Sequence, residues 1–400
     1  MRIASPLQRP LWIFALAVLG IIAAQGTGQM IFARLGYLLI VLLAMNLIWA
    51  VYSVSGIRIE RHVLTPRVVV GETIRERITI TNRWPVPRSM VEVIDDSALP
   101  ERMVGVVLDL GARQERQRVW RSRAVIRGVY TLGPTVVVGS DPFGLFRIER
   151  RFVAHDEVVV HPRPRPVRLS AIGRSVMTGQ RTSGRRTSDD APLVVSVREY
   201  RPGDSFQRVH WRSTAKRGQL MIKESVNEPG VSAWIVIDAN AAVQEWRGLN
   251  FMPGSMPIPD STEEYAISAA ASVAQQWLAQ GHAVGLVAHG LTQLDMPPQR
   301  GLAQRLALFD GLAALRCGGN VPLTEMFGLH RLYAGQTVCV ITSDTDPAWV
   351  SAVATLKLQG IDIFVVLIEP LQFGGRRDMH AVRNALSLAN IDYNRASFVQ

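Results

Sequence analysis

Two uncharged apolar runs near the N-terminus constrain this chain more than anything that follows them. The first extends from Leu11 to Ala24, between Pro10 and the polar break Gln25 to Gln29, and the second from Leu35 to Val54. Hydrocarbon accepts a backbone only when its polar groups are bonded internally, and a helix needs roughly 20 apolar residues to cross it. The second run reaches that length by itself. The first reaches it when extended through Met30 and Ile31, so the expected anchor is a hairpin of helices over about residues 11–31 and 35–54, within residues 1–56. A cleaved signal peptide also accounts for the first run, and the second remains as an anchor in either case.

Charge orients the hairpin. Arg2 and Arg9 precede it, Arg58, Arg61 and Arg67 follow it, and the expected turn carries only Arg34. Positive residues stay on the cytoplasmic side. The expectation is therefore a protein of the cell inner membrane with both ends, and all soluble domains, facing the cytoplasm.

A chain of 400 residues with 48% hydrophobic and 19% charged residues has material for two soluble cores besides the anchor. The net charge of +11 is carried by arginine, since Lys216, Lys223 and Lys357 are the only lysines. Such a surplus suits nucleic acid, anionic lipid or an acidic partner. Aromatic residues are sparse among the arginines and no nucleic-acid-binding module appears, so no specific nucleic acid is expected and membrane lipid is. Cys317 and Cys339 are too few for a disulfide framework and are expected as reduced thiols.

From 57 to 165 the hydrophobic period is two. Ile74, Ile78 and Ile80 fall on one parity, with Arg75, Arg77 and Thr79 on the other. Further alternating runs are separated by turn signals such as Trp84-Pro85-Val86-Pro87 and Gly133-Pro134. Short alternating strands with regular turns predict an antiparallel β-sandwich.

Residues 166–230 read as an Arg-, Ser-, Thr- and Gly-rich linker followed by a distinctive segment, Val197 to Asp204 and Val209 to Leu220. Pro202-Gly203 fits the central positions of a type II turn. Glu199, Asp204, His210 and Lys216 are a tempting mixture, yet no second His or Cys stands at metal spacing, and no catalytic residue is expected here.

This segment resembles the signature of the bacterial "domain of unknown function 58" family, carried by Arg198, Glu199, Tyr200, Gly203, Asp204, His210 and Trp211. Asp141, Pro142, Phe143 and Gly144, in Gly139 to Phe146, and the short His161 to Pro164 match as well. The resemblance covers roughly residues 60 to 370. It implies a membrane protein with a von Willebrand factor A-like C-terminal region, often encoded beside a MoxR-type AAA+ ATPase, which is then the expected cytoplasmic partner.

Residues 231–400 support an α/β domain independently. Strand-like runs at Trp234 to Asp238, Ala283 to Ala288, Val338 to Thr342 and Ile361 to Ile368 alternate with helical patterns, which predicts a covered parallel sheet of Rossmann-like type. Ser261 to Glu264 is a capping box. Ligands of such folds bind at the carboxyl ends of the strands, where Asp238, Asn240, Ser343, Asp344 and Asp346 fall.

The von Willebrand A-like resemblance implies a Mg²⁺ element of Asp-x-Ser-x-Ser, a distant Thr and an Asp. Here Asn240 replaces the first Ser and Ala242 removes the second hydroxyl. Thr324 is a displaced stand-in for the Thr, and Asp344 the last ligand. No cofactor is expected, with Mg²⁺ at Asp238 and Asp344 as the open alternative. The function expected is a membrane-anchored scaffold or adaptor and not an enzyme; the alternative is a metal-dependent hydrolase working at the strand ends.

Overall fold

The structure is a computed structural model and describes residues 2–3, 8–101, 105–153, 156–165, 196–199, 211–224, 232–247, 260–330 and 332–395. The chain divides into two compact units, Met1–His161 and Pro162–Gln400.

In the first unit, α1 (Gln8–Thr27) and α2 (Met30–Val54) form an antiparallel pair. Both are long and apolar enough to cross a membrane, and little of either is buried within the protein. The helices differ from the expected bounds because the break is tighter. Gly28 takes φ +66°, a left-handed conformation that ends α1, and only Gly28 and Gln29 separate the pair. Arg34 therefore lies inside α2 and not in the turn. Small residues let the backbones approach: a Cβ on Gly36 would stand 2.7 Å from the Ala17 carbonyl oxygen.

Eleven described strands accompany the hairpin: β1 (Arg2–Ile3), β2 (Ile57–Val63), β3 (Arg67–Val69), β4 (Thr73–Asn82), β5 (Arg88–Asp95), β6 (Val106–Leu110), β7 (Glu115–Arg123), β8 (Gly128–Thr131), β9 (Thr135–Ser140), β10 (Arg147–Phe152) and β11 (Glu157–His161). They form sheets β1-β10-β9-β5-β6, β2-β4-β7 and β3-β11-β8, with every pairing antiparallel except β11 with β3. The period of two works as the sequence suggests, since Ile74, Ile78 and Ile80 of β4 are buried and Arg75 and Arg77 exposed. Ile78, Ile80 and Trp120 of one sheet share a core with Val91, Val93 and Val137 of another. The same core includes Ala50 and Val54 of α2, so the helix and the sheets are one body. Gly139 of β9 permits this, because a Cβ there would collide with Ser53.

In the second unit, β12 (Ser196–Glu199) pairs with β13 (Met221–Glu224), and α3 (Trp211–Arg217) lies between them in sequence. The main sheet comprises β14 (Ser232–Ile237), β15 (Ala283–His289), β16 (Gln293–Gln299), β17 (Thr337–Thr342), β18 (Asp362–Leu367) and β19 (Asp392–Arg395), in the order β16-β15-β14-β17-β18-β19. All neighbours are parallel except the edge strand β16. Helices α4 (Thr262–Ala279), α5 (Gly301–Ala314), α6 (Leu323–Leu329), α7 (Ala348–Leu358) and α8 (His380–Leu388) cover it. One core holds Ile235, Ala270, Trp277 and Leu308, and the other Val236, Phe327, Trp349 and Leu386, so neighbouring residues of β14 feed opposite faces. Ser261 caps α4, its Oγ accepting from the Glu264 amide at 3.2 Å. This is a doubly wound α/β domain.

Candidate functional site at the switch point of the sheet

The strand order reverses at β14, whose neighbours β15 and β17 are reached by connections that leave in opposite directions. The carboxyl ends of β14 and β17 therefore border the crevice where open α/β sheets take ligands. Asp238 directly follows β14, and Thr342 ends β17. The Thr342 hydroxyl donates to Asp238 Oδ2 at 2.7 Å, and the Asn240 amide donates to Oδ1 at 3.3 Å.

The chain around this pair is folded back on itself. Asn240 Oδ1 accepts from the Ala242 amide at 3.0 Å, capping a 3-10 turn over Ala241–Val243. Gln244 Nε2 donates to the Asp238 carbonyl at 3.0 Å, and Thr262 Oγ1 donates to Gln244 Oε1 at 2.8 Å. Ser343 Oγ donates to the Val243 carbonyl at 2.6 Å. Gly318 and Gly319 both donate to the Ala239 carbonyl, at 3.0 and 3.1 Å. Gly319 has no room for a side chain, since a Cβ would lie 2.1 Å from the His289 carbonyl oxygen.

Asp238 is 2% exposed. Burial raises its carboxyl to about 6; the Thr342 hydroxyl and the Asn240 amide oppose the shift, and the charge of Asp344 adds to it. Asp344 is half-buried and is also raised, chiefly by burial; the Asp346 amide and Arg377 oppose the shift, and the charge of Asp346 adds to it. Its amide donates to Thr342 Oγ1 at 2.9 Å, and its Oδ1 accepts from the Asp346 amide at 2.9 Å. Asp346 is exposed and accepts from the Ala348 amide at 3.0 Å, which starts α7.

The structure thus brings Asp238, Asn240 and Asp344 together and adds Thr342, Gln244 and Ser343. Thr342 closes the apolar run Val338 to Ile341 of β17. A lone hydroxyl ending a buried run is the signal that marks it, and its partner becomes visible only with the strand order. Thr324 lies exposed on α6.

A divalent cation does not fit these residues as they stand. Each Asp238 oxygen accepts a hydrogen bond from within the chain, Asn240 Oδ1 is used by the turn, and Ala242 offers no hydroxyl. Among the described residues no group of three or more His, Cys, Asp or Glu side chains is placed to hold a metal ion. What the arrangement offers is a closed hydrogen-bond net with two raised carboxyls along it.

The other signature residues divide by location. Asp141 is buried and builds a turn: its Oδ2 accepts from the Phe143 amide at 2.9 Å and its Oδ1 from the Phe146 amide at 2.5 Å. Pro142 and Gly144, the latter at φ +66°, complete that turn, and Phe143 projects from it, 68% exposed. Arg198 and Glu199 belong to β12, and exposed Trp211 opens α3. Tyr200, Gly203, Asp204 and His210 lie outside the described residues.

An apolar helical pair, a β-rich unit and a doubly wound domain with a satisfied acidic switch point define a two-part chain with a membrane-type N-terminus. Residues 196–343, which include Asp238 and Thr342, match the family described as "Protein of unknown function DUF58". The chain is also 24% identical over 285 residues to "Uncharacterized protein YeaD" of Bacillus subtilis (strain 168), covering 69% of this chain and 67% of that one. Among solved structures, the CARDB domain of the PF1109 protein from Pyrococcus furiosus covers 26% of this chain and 91% of its own, at 12% identity and a TM-score of 0.18. Alkylpurine DNA glycosylase AlkC of Pseudomonas fluorescens covers 38% and 42%, at 14% identity and the same score. Likeness at that level assigns neither fold nor function.

Proposed function

We propose that the chain is a membrane-anchored scaffold that docks a cytoplasmic protein partner at the acidic edge of its α/β domain. In this reading the hairpin holds it in the inner membrane, and the arginines flanking the helices support a cytoplasmic side for the soluble units. The doubly wound order with an antiparallel edge strand supports a von Willebrand A-like domain. The partner is a MoxR-type AAA+ ATPase, as the family resemblance implies, in a chaperone-like or assembly role.

The observation that carries this reading is the closure of the Asp238–Thr342 net. With its hydrogen bonds satisfied internally, the switch point supports a shaped surface, and Asp344 and Asp346 are the acidic groups that this surface offers.

Crosslinking and affinity capture of the tagged chain from its own membranes tests it. The wild type should bring down the ATPase, and Asp344→Lys with Asp346→Lys should lose it. Capture of no ATPase by the wild type would sink the reading. Hydrolysis at the strand ends is the second reading, favoured by the raised Asp238 carboxyl. It requires turnover, measured with and without Mg²⁺ or Mn²⁺, that Asp238→Asn abolishes in a folded chain.

A further inference from the structure

One face of α2 carries Leu38, Val41, Met45, Trp49 and Tyr52 at three- and four-residue spacing, a single stripe about 21 Å long at the helical rise. Beside its upper part stand Pro142 and Phe143, and the space between is an apolar groove of about 290 Å³. At its lower part the rings continue. Trp49 is tilted against Tyr52 at 6.3 Å between centroids, and Tyr52 meets Trp84 edge-on at 5.4 Å. Trp84 is in turn a wall of a second cavity of about 460 Å³, lined also by Arg58, Arg83, Arg150 and Phe152. Groove and basic pocket are thus joined by three aromatic rings at the end of an apolar helix, where amphipathic rings settle at a membrane surface.

The pocket has more positive charge than its surroundings neutralise. Arg83 makes no ion pair among the described residues. Arg58 is paired with Glu60 at 2.9 Å, both half-exposed and therefore weakly held. Arg150 donates to the Ile57 carbonyl at 3.3 Å and lies 4.8 Å above the Phe152 ring. Behind the rings, buried Arg88 stacks 3.4 Å from the Tyr52 ring centre and donates to the Tyr52 carbonyl, closing the last turn of α2. It meets no carboxylate among the described residues. A ligand that matches both cavities carries phosphate at one end, for the planar forks of guanidinium groups, and an apolar chain at the other. An acidic peptide would fill the pocket and leave the groove bare.

We propose that this face binds one anionic phospholipid, with its phosphate among Arg58, Arg83 and Arg150 and an acyl chain in the groove beside Phe143. The inference rests on the hairpin being a membrane anchor, and it gives the exposed Phe143 of the signature turn a partner.

The test uses the full chain in maltoside micelles, titrated with phosphatidylglycerol brominated on its acyl chains, which quenches nearby tryptophan. Phosphatidylglycerol should quench at concentrations about tenfold below those of brominated phosphatidylcholine, the worth of one charge-assisted contact. Trp49→Phe should remove most of the quenched signal. Arg83→Gln with Arg150→Gln should abolish the preference, while Arg118→Gln on β7 should keep it. Equal quenching by the two lipids, or a preference that survives the double substitution, would overturn the site. Displacement of the brominated lipid by millimolar inorganic phosphate would overturn it too, assigning the pocket to free phosphate. Alkaline carbonate extraction of native membranes separates the two levels. Release of the chain removes the anchor and the lipid site together, whereas retention without lipid preference removes the site alone.

Discussion

The Thr342 hydroxyl reaches Asp238 Oδ2 across 104 residues of sequence, and it fixes the ends of β14 and β17 with side chains where the ladder between them stops. Burial of the same carboxyl, which this contact only partly offsets, shapes how the domain responds to acid.

The folded chain keeps the Asp238 proton up to about pH 6, whereas an unfolded carboxyl releases it near its usual 3.8. The contribution of Asp238 to folding stability is therefore greatest below about pH 4 and falls as pH rises through that window, by about 3 kcal/mol. Asp238→Asn should flatten the dependence and unfold later than the wild type at pH 8. Thr342→Val, which strips away a donor, should steepen it. Urea unfolding of the detergent-solubilised chain between pH 4 and 8 measures both, and a wild type equally stable across that range would contradict the assignment.

Inside the β-rich unit, Arg61 is enclosed with two carboxylates. It pairs with Glu76 and with Asp95 at 3.0 Å, and donates to Ser97 at 3.1 Å, all within the core. Burial raises Glu76 even so, with Arg61 opposing the shift. Arg61→Met should cost about 3–5 kcal/mol, because two buried acids lose their counter-charge. Adding Glu76→Gln and Asp95→Asn should recover much of that loss in a melting experiment.

Asp141 supplies both anchors of the turn that carries Phe143. Asp141→Ala leaves two amides without their acceptor and should cost about 2–3 kcal/mol. It should also expose the bond after Phe143 to chymotrypsin under native conditions. Asp141→Asn keeps one acceptor and should lie between.

The hairpin has a steric test of its own. Gly36→Ile places carbon where the Ala17 carbonyl oxygen and Ile21 already are, whereas Gly26→Ile meets open space. In SDS titrations the first should unfold the helix pair at a lower detergent fraction, and the second should match the wild type.

Much of this is readable in the sequence wherever one local pattern suffices. The parity of Ile74, Ile78 and Ile80, the Ser261 cap and the buried runs of β14, β15, β17 and β18 follow from period and propensity alone. Edge strand β16 does not, because Pro297 and Pro298 argue against a strand and are tolerated only where one side is unpaired. The turn between α1 and α2 is narrower than its sequence suggests, because the polar residues of 25–29 look like loop although most of them continue the helix. At the switch point, Asp238 and Asp344 are legible as acids after strands. Thr342 and Gln244 become part of the site only once the strand order sets them beside Asp238.

The passage from α2 into β2 occupies only Ser55 and Gly56, and β9 is pressed directly against the last turn of the helix. No slack linker intervenes to absorb a rotation. When a bilayer thickens or thins, an embedded helix changes its inclination, and here that change would be handed to the β-rich unit as a swing about the membrane plane. The chain's N-terminal part would then act as a rigid pointer whose bearing is set by the lipid around it.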